Sequence, residues 1–244
     1  MSATWDDFQQ ALERQHHPVR FWLRDDDAVS DTAALRRLAR WAARQNTQVL
    51  IALVPSLADD SLRAAMDARP QFVGAVHGWA HKNHAPQTEK KQELGSHRAL
   101  EAVCAELGKA RRRAEEISAD SALSVLVPPW NRISPDVVQA LPALGFSGLS
   151  TFANAHTRDV PDGLKVENSH IDIIDWRGTR GGRPHGELIG EMIDALQAGH
   201  RLIGVLSHHL VHDEEAWSFL DNLGEAVAAH PAADWACPGE VFGS

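Results

Sequence analysis

Short, mostly apolar runs alternate along this chain with longer stretches whose apolar residues recur at helical spacing. Val19–Leu23 is the first such run, and it gives way to Arg24 and three consecutive aspartates. Residues 49–54 (VLIALV) are apolar throughout and are closed by Pro55, the pattern of a strand covered on both faces. Phe72–Val76, Leu123–Val127, Gly148–Thr151, His170–Ile174 and Leu202–Leu206 complete a set of seven predicted strands. Between the first two, Leu35, Leu38 and Trp41 mark a helix that Ser30 or Asp31 would cap. Further helices are predicted over residues 59–68, from about 96 to 117, from Pro135 onward, over 187–197 and over 213–229.

No linker, low-complexity tract or fixed-period repeat interrupts this alternation, so residues 1–244 read as a single α/β domain with a mainly parallel sheet. Polar clusters follow five of the strands: Asp25–Asp27, His77–His84, Pro128–Arg132, Asp175 with Trp176, and His208 with His209. The carboxyl ends of the strands of a parallel barrel share one face, where such clusters would meet in a pocket. That convergence favours a closed or nearly closed barrel over an open, doubly wound sheet.

Composition narrows the function classes. A 244-residue chain that is 43% hydrophobic and 23% charged can bury a core without disulfides or structural metals. A net charge of -9 argues against a nucleic-acid partner, which calls for a basic face. No apolar run approaches the roughly 20 residues that span a bilayer. The polar, acidic start has neither the basic nor the apolar region of a leader peptide, so the expectation is a cytoplasmic protein without a membrane partner. Cys104 and Cys237 are far apart, and Cys104, within a helical pattern, reads as a buried free thiol. The pattern specifies no oligomeric state.

The histidines and aspartates carry the candidate chemistry. His77 and His81 are four residues apart, a spacing that on one helical turn lets two imidazoles hold a divalent metal. Spacing alone is weak evidence: the chain has 14 histidines, His208 and His212 repeat the interval, and a surface or capping role is equally open. The aspartates shift that balance. Adjacent carboxylates repel unless a cation or an arginine compensates them. Two histidines with one carboxylate leave zinc the open position that catalysis requires.

Taken in order, these segments resemble the polysaccharide deacetylases of the NodB-homology type, carbohydrate esterase family 4, as a divergent member. The Asp-Asp pair of that family is similar to part of Asp25-Asp26-Asp27-Ala28, and its H-x-x-x-H to His77-Gly-Trp-Ala-His81. Its proline-aromatic loop resembles Pro128-Pro129-Trp130-Asn131, its D-x-x-D-W motif Asp172–Trp176, and its L-x-H motif Leu206-Ser-His208. The resemblance implies a distorted (β/α)7, TIM-like barrel and a hydrolase that removes acetyl groups from a sugar or glycoconjugate.

It also implies residue roles. Asp26 would be the base and Asp27 a metal ligand with His77 and His81, with Asp25/Asp26 as the competing register. Zinc is the favoured metal, with nickel and cobalt as alternatives. His208, oriented by Asp175, would be the acid, and a backbone N–H near Trp130 would face the acyl oxygen. Trp79, Pro129, Trp130, Asn131, Arg132, Trp176 and Leu206 would contact substrate, although core packing is an equal alternative for each tryptophan. The family arginine before the prolines is replaced by Val127, and Arg24 or Arg132 could supply its charge. The alternative functions are hydrolysis of a small non-sugar amide or ureide, and a catalytically inactive carbohydrate- or metal-binding module. His84, His209 and His212, the Lys90-Lys91 pair and Arg111–Arg113 read as solvated polar residues.

Overall fold

The computed structural model describes residues 2–243 and places strand β1 (Val19–Ala28) at the centre of a nine-stranded sheet. On one side β1 pairs with β2 (Val49–Leu53), followed outward by β3 (Phe72–Val76), β4 (Ala122–Leu126), β5 (Gly148–Leu149) and β6 (Lys165–Val166). On the other side it pairs with β8 (Leu202–Ser207), which pairs with β7 (Ile171–Asp172). Every one of these pairings is parallel. The chain itself joins the two sheet edges: after β6, the Ser169 N–H donates to Thr151 O and the His170 N–H to Gly204 O. The result is a curled, distorted (β/α) barrel, as the polar clusters at the strand ends and the family resemblance imply.

All seven predicted strands are present. The two unpredicted ones, β6 and β9 (Ala233–Trp235), are too short to show a period. β9 pairs with Val19–Phe21 at the start of β1. Helix α8 (Pro238–Phe242) then brings Phe242 edge-on to Trp22, with ring centroids 5.8 Å apart. This seals the amino end of the barrel with apolar side chains, so the carboxyl end is left for a polar site.

The helices cover the outside. They are α1 (Trp5–Glu13), α2 (Ala33–Arg44), α3 (Asp60–Ala68), α4 (Leu100–Ser118), α5 (Pro135–Ala140), α6 (His185–Gln197) and α7 (Glu214–Ala229). The sequence reading leaves α1 out, although Trp5, Phe8 and Leu12 have helical spacing and Thr4 and Asp7 form a capping box. Thr32, not Ser30 or Asp31, caps α2 through the Leu35 N–H. Cys104 is half-buried rather than buried, and is a free thiol. Among the described residues, no helix is long and apolar enough to cross a membrane.

β1 runs further than its apolar stretch predicts, because its polar half is also buried. Trp22 joins Leu50, Ala52, Val73, Ala75, Val125 and Val127 in the barrel interior, while Phe21 and Leu23 join the layer under the helices. Alternation then carries Arg24 and Asp26 along the inner row and Asp25 along the outer one. Trp22 fits only because β8 has glycine opposite it: a Cβ on Gly204 would lie 2.8 Å from the indole.

Asp25 is fully buried and accepts hydrogen bonds from Ser207 Oγ (2.5 Å), the His209 N–H (2.9 Å) and His209 Nδ1. His209 is therefore not a solvated residue but the anchor of the turn after β8. His212, its neighbour in the turn, packs edge-on against Trp217, and burial pushes its pKa down to about 4. Burial alone would raise the Asp25 pKa, but the His209 imidazole outweighs it and holds the carboxyl below its usual range. A depressed carboxyl pKa contributes stability that is complete above about pH 4 and is lost as pH falls through the folded value. Asp25→Asn is expected to lower unfolding stability at pH 7 by about 3 kcal/mol and to flatten its decline below pH 4. Urea denaturation of chelator-treated wild type and variant, at pH 7 and pH 3.5, checks both.

Candidate active site

Strand alternation should send Asp26 and Asp27 to opposite faces of the sheet. A register shift against β2 between Asp26 and Ala28 prevents this. Asp27 occupies the left-handed region (φ 73°), a conformation that aspartate tolerates better than most residues. The irregularity turns both carboxylates toward the mouth, a common use of a bulge beside a functional site.

Asp27 Oδ1 lies 3.1 Å from His77 Nε2 and 3.3 Å from His81 Nε2. No hydrogen bond of good geometry to a described group engages it, so with the two ring nitrogens beside it the oxygen is open to a cation. The ring of His77 is oriented by its Nδ1, 2.9 Å from the carbonyl oxygen of Val127, which leaves Nε2 free as a donor atom. Burial pushes the Asp27 pKa up, but the facing imidazoles, His77 foremost, outweigh it and bring the carboxyl well below its ordinary range. An anionic oxygen with two imidazole nitrogens is a donor set that suits zinc, nickel or cobalt, and all three atoms lie within 4.8 Å of one another.

His77 and His81 do not share a helical turn, contrary to the spacing argument. They lie on a loop in which Gly78 (φ 65°) and His81 (φ 52°) are both left-handed. Glu93 holds that loop: its buried carboxylate accepts the N–H groups of Trp79 (3.3 Å), Ala80 (2.8 Å) and His81 (3.1 Å). The sequence offered no signal for Glu93 beyond its place in a polar stretch.

Asp26 sits beside the triad in a different environment. Arg24 Nε and Nη2 lie 3.0 Å from its Oδ1 and Oδ2 respectively. The guanidinium is completely buried, and its other donors reach Ser150 O, Ser150 Oγ, Thr151 O and Asn131 Oδ1. Arg24, two residues away on the same row of β1, therefore supplies the charge compensation that Val127 cannot. Arg132 does not: its Nη1 donates to the Lys91 carbonyl.

His208 Nε2 lies 3.9 Å from Asp26 Oδ2, and its ring packs edge-on against Trp176 at 4.6 Å. Asp175 does not orient it. That carboxylate accepts the backbone N–H groups of Arg177, Gly178 and Thr179 and shapes a turn. The carboxylate that does border this part of the site is Asp172, which receives Trp176 Nε1 at 2.9 Å. Burial raises the Asp172 pKa, opposed chiefly by the His208 charge.

A cavity of about 750 Å³ opens over these groups. It is lined by Asp26, Asp27, His77, His81 and His208, by the expected contacts Trp130, Asn131, Arg132 and Trp176, and by the unexpected Lys91, Phe152, Asp172, Arg177 and Arg180. Three expected contacts are not part of the lining. Leu206 is fully buried in β8, Pro129 is buried against Gly78, and Trp79 packs on the core beneath the loop. Lys91 belongs to the pocket wall, not to a merely solvated loop.

No family model matches the chain, and no curated protein matches it by sequence. Solved structures do. A putative polysaccharide deacetylase from Mycobacterium smegmatis superposes with a TM-score of 0.67 at 13% identity, covering 92% of this chain and 88% of the other. A family 4 carbohydrate esterase from Streptomyces lividans, solved with acetate, gives 0.59 at 11% identity over 90% and 93% of the two chains. A family 4 pseudoenzyme from Bacillus anthracis gives 0.61 at 14% identity, over 92% of this chain and 66% of that one. The chain thus has the fold of the family 4 deacetylases.

The triad is expected to bind one zinc ion per chain, measured by calorimetry on chelator-treated protein. Asp27→Asn and His77→Ala should each abolish that uptake. Glu93→Gln, which leaves all three donor atoms in place, should weaken it by about 10- to 100-fold through loss of loop support.

Proposed function

We propose that this chain is a divalent-metal-dependent deacylase that removes acetyl groups from an N- or O-acetylated sugar or glycoconjugate. The observation that carries the proposal is the division of labour between adjacent carboxylates. Asp27 joins two imidazoles, while Asp26 is clasped by Arg24 and faces His208. A binding protein has no evident need for a second carboxylate and a third imidazole beside a completed triad. A cation held by Asp27, His77 and His81, zinc being the favoured one, would supply Lewis acidity toward water and the acyl oxygen.

The chain's own groups perform the proton transfers. Asp26, kept in one orientation by the Arg24 fork, accepts the proton of the attacking water. The Asn131 and Arg132 N–H groups close the turn onto Pro128 O and Pro129 O, which leaves the Trp130 N–H of this loop to meet the acyl oxygen. His208, steadied by the Trp176 ring, delivers a proton to the departing amine or alcohol. The aromatic rings of Trp130 and Trp176 supply the apolar faces that sugars stack on.

Acetate release by zinc-loaded protein, from a panel of acetylated mono- and oligosaccharides, tests this. Asp26→Asn and His208→Ala are each expected to lower turnover by about 10²- to 10⁴-fold while zinc uptake persists. Metal uptake without acetate release from any member of the panel would overturn the reading in favour of a binding module.

A further inference from the structure

The chain as a whole carries a net charge of -9, yet the wall of the cavity over the triad is rich in cations. Lys91, Arg132, Arg177 and Arg180 all line it, and among the described residues none of the four has a carboxylate within 4.0 Å. The carboxylates in the same wall do not answer them. Asp26 is matched by Arg24 and Asp27 by two imidazoles, leaving Asp172, whose Oδ2 is taken by Trp176 Nε1. A cation on the triad would increase the positive excess further.

The backbone that carries these charges is held in place. On one side of the cavity Arg132 donates to the Lys91 carbonyl, and Lys91 Nζ stands 6.0 Å above the Trp130 ring. On the other, the Asp175 turn presents Arg177 and Arg180: its carboxylate receives the Arg177 N–H, its carbonyl the Arg180 N–H at 2.9 Å. Arg180 takes a left-handed conformation (φ 61°) there. Asp175 therefore serves the site by shaping the segment that carries two guanidinium groups. Like charges gathered in one concavity repel one another unless a ligand compensates them, and such a concavity attracts anions from solution.

We propose that the substrate carries a carboxylate or phosphate on the same sugar as its acyl group, received by Lys91, Arg132, Arg177 and Arg180. The inference rests on the deacylase reading, whose acyl group it places beside the triad. An arginine fork reads either oxyanion bidentately, so the shared chemistry is a compact oxyanion on an acylated sugar.

Three ligands differing at one carbon test it: N-acetylglucosamine, its 6-carboxylate analogue and its 6-phosphate. Binding is measured by calorimetry on zinc-loaded protein, and acetate release is followed in parallel. At about 50 mM salt one or both anionic sugars should bind at least about tenfold more tightly than the neutral one, and 0.5 M salt should erode the advantage. Whichever analogue is favoured identifies the oxyanion. Arg177→Gln/Arg180→Gln, a pair of exposed positions, should collapse the ratio toward one, and Arg132→Gln should reduce it separately. Equal or tighter binding of the neutral sugar, no binding by any of the three, or a ratio untouched by these variants overturns the proposal. The two readings fail separately. Rapid acetate release from the neutral sugar alone leaves a deacylase without an anion site, whereas selective anion binding without acetate release leaves an anion site without a deacylase.

Discussion

A guanidinium removed from water has to be matched at its charge and at its donors, and the mouth of this barrel is organised around that requirement. Arg24 lies inside the barrel with no solvent exposure, so Asp26 must face its fork, and Ser150, Thr151 and Asn131 must turn oxygen atoms toward it. One buried side chain thereby ties the first strand to the segment after β5 and to the proline-aromatic loop. Breaking such a pair from one side is far costlier than the net worth of the pair, because it strands a charge away from water. The carboxylate proposed as the base is thus fixed by an interaction that the barrel cannot easily relinquish.

The aspartates beside it show how a short polar stretch can serve several layers at once. Asp25 points outward and fastens the turn after β8, which places His208 at the mouth. Asp26 points inward to Arg24, and Asp27, displaced by the irregularity against β2, meets the two imidazoles. Three like charges in sequence are tolerable because each is answered by a different partner: an imidazole behind the sheet, a guanidinium inside it, and a pair of histidines at its rim. The loop that bears those histidines has left-handed residues and no regular hydrogen bonding of its own. Its geometry comes from the Glu93 carboxylate, which takes the place of a helical turn.

The resulting site differs from the family pattern at one residue and recovers the loss at another. Val127 stands where that pattern places an arginine, and it contributes its carbonyl to the His77 ring instead. Arg24 compensates from β1, and Asn131, in the proline-aromatic loop, accepts from it. These residues therefore form a connected set, consistent with a site that keeps its electrostatics while its surroundings change. The cationic rim is likewise a property of the loops that carry Lys91, Arg132, Arg177 and Arg180 and not of the barrel itself.

The periodicity of the chain by itself determined the seven principal strands and most of the covering helices, because burying apolar surface on a parallel sheet demands continuous apolar runs. The order of the polar clusters at the strand ends was equally legible, and so was the pairing of a carboxylate with His77 and His81 as a candidate triad. Only the tertiary structure decided which aspartate faced which partner. A single irregularity in β1 reverses the direction of Asp27 without leaving any mark in composition or spacing. The same holds for Glu93, for Asp172 in place of Asp175, and for the choice of Arg24 over Arg132. Each depends on contacts between segments far apart in the chain, and a polar side chain's partner is set by where the backbone brings it, not by the residue types beside it.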